Sequence, residues 1–325
     1  MTSWLVAAAL ALVTSVSWTI PAGSQTLGLY DDFDSGPLDP ERWLGYEYSI
    51  DKYDSHPEAL YGTPDWNANV GDPAILASMR RVVNGQAQIA LTSYRVPGQG
   101  YDERGARARS GLRVNHVVLS DHRPVVTAVQ ARVNVASASV PTPDLICHPS
   151  DLGTARAELF GHFFNDGTST GAGDLTGDVF ALARLSRQVQ STVDGEEGVL
   201  SEVVEAQTGR CNNADCSRVR WGPTIAFERT WATGASHVLT IVWQRASDAF
   251  VVTVAGGGTT ESCTVPYAMA DATPPRGYAY DLRVETRPRR CYTQMGASNL
   301  VPQEVSIDAR FDNVRLNSTA ATATR

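Results

Sequence analysis

Arg156, Glu158 and His162 stand at alternating positions within residues 155–165, so on an extended chain they share one face. A guanidinium, a carboxylate and an imidazole on one face are the groups that acid–base chemistry or recognition of a hydroxyl-rich ligand uses. A loop rich in Gly, Ser, Thr and Asp, residues 166–177, separates this stretch from residues 178–187, whose side chains also alternate. Such flanks around such a loop predict two neighbouring antiparallel strands. Asp178 opens the second of them. Retaining cleavage of a glycosidic bond needs two carboxyls about 5–5.5 Å apart. A simple hairpin sets Asp178 beside Asn165 and Glu158 beside Leu185, leaving the two acids ~23 Å apart at strand rise. With that strand order they are too far apart to be a couple; a different order would change the distance. Glu202 and Glu205, three positions apart, face opposite ways on a strand. The residues left to face a ligand are Arg113, Arg156, Glu158, His162 and Asp178; the plain alternative is an ion pair and a hydrogen-bonded His serving the sheet alone.

Other patterns carry less. Gly167-Thr-Ser-Thr-Gly171 fits the Gly-x-Ser-x-Gly elbow of a serine hydrolase, but that turn must lead into a helix, and Gly-Ala-Gly-Asp follows. Asp166, Asp174 and Asp178 miss the spacing of an EF-hand loop. Tyr61, Trp66 and Tyr101 sit in polar stretches where aromatic platforms for sugar rings form or where a loop covers the core edge. Trp243 lies in a strand that reads as core. Asn317-Ser-Thr319 is an N-glycosylation acceptor sequence.

The elements that must position these groups are strands. The chain has 325 residues, 42% hydrophobic and 19% charged, enough for one large β-sandwich core. Its formal charge of −8 and pI near 5.3 argue against nucleic acid or anionic lipid as partner. Lys52 is the one lysine among 27 basic residues. Residues 1–24 read as an export signal: residues 5–13 are unbroken apolar and Pro21-Ala-Gly-Ser24 follows, although no Lys or Arg precedes Arg42. The apolar run is short for a membrane span, so cleavage and release as a secreted or extracytoplasmic monomer are expected. Five cysteines, at 147, 211, 216, 263 and 291, then predict disulfides with one thiol left over. Cys211 and Cys216 are spaced to close a small loop and Cys263 with Cys291 is a candidate second bridge, but spacing does not fix the connectivity. No second Cys/His pair stands at a ligand spacing, so a zinc centre is not expected.

A short strand opens the domain at residues 27–34, and Leu38-Asp-Pro-Glu-Arg-Trp43 predicts one helical turn capped by Asp39 with Pro40 at its first position. Residues 44–79 carry breakers every few positions and read as loops. Residues 80–94 form a hairpin about Asn84-Gly85, the pair that supplies both positive-φ positions of a type I′ turn. Strands are further expected at 106–116, 125–135, 198–208, 218–227, 236–245, 249–255, 277–286 and 305–316, with a loop at 137–153 and a turn at Gly256-Gly-Gly258. Many strands and no amphipathic helix imply an all-β, two-sheet antiparallel sandwich with jelly-roll connections.

The opening Tyr30-Asp-Asp-Phe-Asp34 with Leu38-Asp-Pro-Glu-Arg-Trp43, and the closing Phe311-Asp-Asn-Val-Arg-Leu316, resemble the two ends of the concanavalin A-like lectin/glucanase jelly rolls. Between them Val83-Asn-Gly-Gln86, Arg109-Ser-Gly-Leu-Arg113 and Ser236-His-Val-Leu-Thr-Ile-Val-Trp243 fall in the order seen in laminarinase-type glucanases. The resemblance spans residues 27–317, leaving 318–325 as a tail. It implies a secreted sandwich whose first and last strands pair and whose curved sheet faces polysaccharide or cell-surface glycan. It also implies a structural calcium, with Asp312 at the position of the acid that ligates it, unless Asp312 is a solvated surface acid. Retaining glucanases of this kind carry Glu-x-Asp-x-x-Glu, or the form one residue shorter, on one strand. Here that segment, residues 177–183, offers only Asp178, with Phe180 and Ala183 in the other places. Some alginate lyases share the fold, and His162, Arg156 and Tyr94 supply a base, a cation and a phenol, but Arg156-Ala-Glu-Leu159 continues with Phe160 and departs from the lyase strand. The resemblance therefore implies glycan binding without cleavage first, and a polysaccharide-degrading hydrolase or lyase with a rearranged site second. A structural surface protein with no groove stands third.

Overall fold

A computed structural model describes residues 26–34, 36–49, 67–68, 76–93, 108–114, 126–141, 147, 152–171, 174–190, 199–216, 218–267, 280–292 and 300–317. The expected export signal, the tail, and Tyr61, Trp66, Tyr94 and Tyr101 lie outside the described residues.

Two antiparallel sheets make a β-sandwich, the all-β jelly roll expected. Numbering strands in chain order, one sheet runs β14 (Thr259–Pro266), β13 (Ala249–Gly256), β12 (Ser236–Gln244), β7 (Ala128–Ser139), β18 (Val305–Leu316), β5 (Gln86–Ser93), β4 (Leu76–Val83), β3 (Asn67–Ala68), with β1 (Gly28–Asp31) also on β18. The other runs β11 (Val219–Ala226), β10 (Val199–Cys211), β9 (Asp178–Gln190), β8 (Leu152–Asn165), β15 (Tyr280–Arg287), β6 (Ala108–Val114), β2 (Trp43–Ser49). A small ribbon pairs β16 (Arg290–Tyr292) with β17 (Leu300–Pro302). Alternate residues of both sheets enclose one core: Ile89, Leu91, Val133 and Phe311 from the first meet Ala157, Leu159, Leu185 and Leu282 from the second. No helix among the described residues is long and apolar enough to cross a membrane.

The two ends of the chain close on each other, Gly28 opposite Leu316 and Leu29 opposite Arg315. Asn317 extends the closure by accepting from the backbone N–H of Thr127 and Ala128 at 2.9 and 3.0 Å. The expected turn after β1 is present: Trp43 N–H reaches Asp39 O at 2.9 Å, and Asp39 Oδ1 caps Glu41 N–H at 2.9 Å. It delivers the Trp43 ring into the core, where Nε1 donates to Asp31 Oδ2 at 2.7 Å. The hairpin expected at residues 80–94 is present over the described residues 80–93, with φ of 52° at Asn84 and 70° at Gly85.

Several expectations are corrected. Residues 44–79, read as loops, contain most of β2, all of β3 and the start of β4. Gly45 concealed β2, and packing explains it: a Cβ there would stand 2.9 Å from Nε of Arg80, whose guanidinium crosses above. Residues 137–153, also read as a loop, hold the end of β7 and the start of β8. β14 was not foreseen because it is an edge strand with mostly exposed polar side chains and little alternation to read. The disulfides are Cys147–Cys291 and Cys211–Cys216. The candidate bridge between Cys263 and Cys291 does not form, because Cys291 pairs backbone to backbone with Cys147, while Cys263 sits on β14 against the core. Burial pushes the Cys263 thiol up to about 11.

Candidate functional site

The seven-stranded sheet turns Ala155, Ala157 and Leu159 of β8 to the core and Arg156, Glu158, Phe160 and His162 to its outer face. Register extends these into rows across neighbouring strands. Arg109, Glu285, Arg156 and Ser186 form one row; Arg283, Glu158, Arg184 and Glu205 the next; Arg113, Asp281, Phe160, Leu182 and Gln207 the third. The first two rows alternate in charge from strand to strand.

Every acid in this lattice is engaged by a guanidinium. Glu285 accepts from Arg109 Nε at 2.6 Å and Arg156 Nη1 at 3.1 Å. Arg113 holds Asp281 through Nε and Nη2 at 2.9 and 3.0 Å. Arg184 Nε donates to Glu205 at 2.7 Å, and Arg283 Nε donates to Glu158 Oε2. Glu158 Oε1 has no hydrogen-bond partner; Arg184 Nη1 lies 3.9 Å from it. Burial pushes the Glu158 carboxyl up and Glu285 beside it does the same, yet Arg283, Arg184 and Arg109 leave it below the usual carboxylate range. Asp281 is held low in the same way: burial opposes ionisation, but Arg113, Arg283 and His162 outweigh it. A general acid needs the opposite, a carboxyl whose proton is retained near neutral pH.

Beyond the lattice the face turns aromatic. His162, Phe180 and Gly209 lie opposite one another on β8, β9 and β10, with Trp221 opposite Gly209 on the edge strand. The rings of His162 and Phe180 stack at 5.6 Å and Phe180 meets Trp221 edge-on at 5.5 Å. Phe160, Phe180, Leu182 and Cys211 form an apolar cluster separate from the main core, and the guanidinium of Arg283 sits 3.9 Å over the Phe160 ring. Trp221, at 40% exposure, is one of three large hydrophobic side chains exposed among the described residues.

His162 Nδ1 lies 3.0 Å from Asp178 Oδ2, and Asn165 Nδ2 donates to Asp178 Oδ1 at 2.6 Å. The expected neighbourhood of Asp178 and Asn165 is therefore present. Glu158 falls opposite Arg184 instead of Leu185, because the ladder shifts between His162 and Phe164. Strict alternation from Arg156 would also set Phe164 on the outer face; past the bulge Phe164 instead packs in the core on Trp243, Phe250 and Tyr267. Six residues of β9 still separate Asp178 from the partner of Glu158, about 20 Å of strand. Glu202 and Glu205 do face opposite ways, toward Arg187 and Arg184.

Of the five residues expected to face a ligand, Arg113, Arg156 and Glu158 lie in the lattice, while His162 and Asp178 pair at the aromatic end. Asp312 is on the other sheet, 3.6 Å from Arg132 Nη1. A guanidinium as nearest charged partner does not by itself make a calcium cage, which takes six to eight oxygens. The sequence reading missed Asp281, Arg283 and Glu285, although these charges alternate with Leu282 and Val284 in β15. It also missed Trp221, whose strand shows little apolar alternation because β11 is an exposed edge.

No protein-family model matches the chain, and no curated protein does. Among solved structures it is similar to a LamA variant from Zobellia galactanivorans in complex with laminaritriose and laminaritetraose, at 16% identity, covering 90% of this chain and 98% of that one, with a TM-score of 0.38. It is similar to lectin II from Ulex europaeus at 11% identity, covering 82% and 97%, with a TM-score of 0.29. It is similar to a beta-glucanase catalytic domain from Podospora anserina at 10% identity, covering 77% and 81%, with a TM-score of 0.32.

Proposed function

We propose that this chain is an exported protein that binds polysaccharide or cell-surface glycan on the outer face of its seven-stranded sheet and does not cleave it. The observation that carries the reading is Trp221, an exposed indole held edge-on by Phe180 beside a field of ordered polar groups. Sugar rings present apolar C–H faces and hydroxyl rims, which a flat aromatic ring and hydrogen-bonding side chains complement. The acids of the face support binding over hydrolysis, since each one in the lattice is committed to a guanidinium. Two disulfides fit an oxidising, extracytoplasmic setting.

The test is affinity electrophoresis and calorimetry against β-glucans, pectin, alginate and animal glycans, with reducing ends and unsaturated uronates assayed in parallel. Retention on at least one glycan, weakened at least tenfold by Trp221→Ala and without release of new ends, is the expected result. Failure to bind any of them overturns the reading, and end release abolished by Glu158→Gln or His162→Ala replaces it with a degrading enzyme.

A further inference from the structure

The Cys211–Cys216 disulfide lies against the one ring that could join its sulfurs in holding a metal. One nitrogen of His162 and both sulfurs are within 4.8 Å of one another, and among the described residues no other such group of three or more His, Cys, Asp or Glu occurs. Tetrahedral zinc with Zn–S near 2.3 Å and Zn–N near 2.0 Å sets its ligand atoms about 3.5–3.8 Å apart. The His162–sulfur spacing, no more than 4.8 Å, closes to that value with a movement of at most about 1.3 Å.

The surroundings are those of a metal ligand set. The Nδ1 of His162 faces Asp178; if its proton is donated to that carboxylate, Nε2 carries the lone pair. A carboxylate behind the ring is the arrangement that fixes the tautomer and orientation of a ligating imidazole. Asn165 in turn anchors Asp178. The sulfurs are held by more than their own bond. Gly177 N–H donates to Cys211 O at 2.8 Å, Leu175 N–H to Ala214 O at 2.8 Å, and Asn212 N–H to Arg218 O at 2.8 Å. Phe160, Phe180, Leu182, Leu175 and Val219 pack an apolar shell around the group. The sequence shows no ligand motif because the ligands come from β8 and from the end of β10, far apart in the chain.

We propose that the chain contains a redox-gated site for a thiophilic d10 cation, formed by Cys211, Cys216 and His162 with Asp178 as the carboxylate behind the imidazole. In the oxidised protein the sulfurs are bonded to each other and the site is closed. A dithiol reductant opens it: the S–S bond takes two electrons and two protons, and the reductant becomes its own disulfide. Zn2+ then displaces the two thiol protons and takes two thiolates and the imidazole, leaving its fourth position to water. This site is independent of the glycan reading.

The test uses the full mature chain, oxidised or reduced with a phosphine that is then removed without air, titrated with Zn2+ against a chromophoric chelator and with Co2+ as a spectroscopic stand-in. Reduced protein is expected to bind one Zn2+, oxidised protein none, and the Co2+ form to show thiolate charge-transfer and intense tetrahedral ligand-field bands. His162→Gln and Cys211→Ser/Cys216→Ser should each abolish those bands, and Asp178→Asn should weaken zinc binding roughly 10–100-fold. Circular dichroism establishes that each variant is folded. If the double Cys variant is not, His162→Gln in the reduced chain decides the matter alone. No zinc bound by the reduced chain, or binding unchanged by His162→Gln, overturns the site, the latter because the imidazole is then not a ligand.

Discussion

The ring of Phe180 lies across the backbone of Gly209: a Cβ built there would stand 2.8 Å from Cε2 and closer still to Cζ. Gly209 is not among the positive-φ residues, so the need for glycine is steric. The absent side chain lets Phe180 reach over β10 and brace Trp221. Gly209→Ala should therefore cost about 1–3 kcal/mol by overpacking and loosen glycan binding, while Trp221→Ala, at an exposed ring, should loosen binding with little loss of stability. Urea unfolding and calorimetry on both variants separate the two effects. Equal stability of Gly209→Ala and wild type would mean that the ring is not held there.

Glu158 is fully buried between Arg283 and Arg184. Removing its charge takes from the buried Arg283 the carboxylate it donates to and leaves Arg184 to Glu205, and losing one member of a buried pair costs about 3–5 kcal/mol. Glu158→Gln is expected to lower the unfolding free energy by that order without changing the exposed part of the face. An acid kept for catalysis gives the reverse, since its removal commonly leaves stability unchanged or raises it. A stable Glu158→Gln protein would argue that the carboxylate is there for a substrate.

What the sequence disclosed follows from how each element is buried. β8 and β18 are interior strands with strong alternation, and Asn84-Gly85 is a turn with a fixed backbone requirement, so all three could be read in advance. β2, β11 and β14 are edge strands among the described residues, and edge residues need not be apolar; β11 was still read at 218–227, but Gly45 hid β2 and polar side chains hid β14. The site was half legible for a related reason. Arg156, Glu158 and His162 alternate along one strand, but their partners Arg283, Glu285 and Cys211 come from elsewhere in the chain, and only the strand order brings them together. The bulge at Phe163, which moves Phe164 to the core and lets Asn165 reach Asp178, leaves no signature in residue type.

The two disulfides should differ in what they contribute. Cys147–Cys291 closes a loop across a sequence separation of 144, whereas Cys211–Cys216 spans 5. In the chain-entropy account these correspond to about 5 and about 2 kcal/mol. Cys147→Ser/Cys291→Ser is therefore expected to lose far more stability than Cys211→Ser/Cys216→Ser, as read from denaturant midpoints of the two double variants. Equal losses would show that the short bridge organises the β8–β9 loop docked against it.

Acid should unfold the protein in two stages. His237 is buried with both ring nitrogens lacking a hydrogen-bond partner; burial first, and Arg229 second, lower its pKa below the ordinary 6.5. The unfolded chain therefore binds a proton there before the folded one does, so stability is full above about pH 6.5 and falls as pH drops toward the folded value. Arg229 is itself paired with Glu261 at 3.4 Å. Glu158 and Asp281, held below the ordinary 4.5 and 3.8, contribute stability that is complete above those values and is lost, as a second step, when pH falls through the lower folded ones. Melting temperatures from pH 8 to 3 should thus decline in two steps. His237→Leu should remove the upper step and leave the lower. A wild-type profile flat from pH 7 to 5 would show that His237 gains a partner or solvent when it takes up its proton, and an upper step that persists in His237→Leu would assign that step to another group.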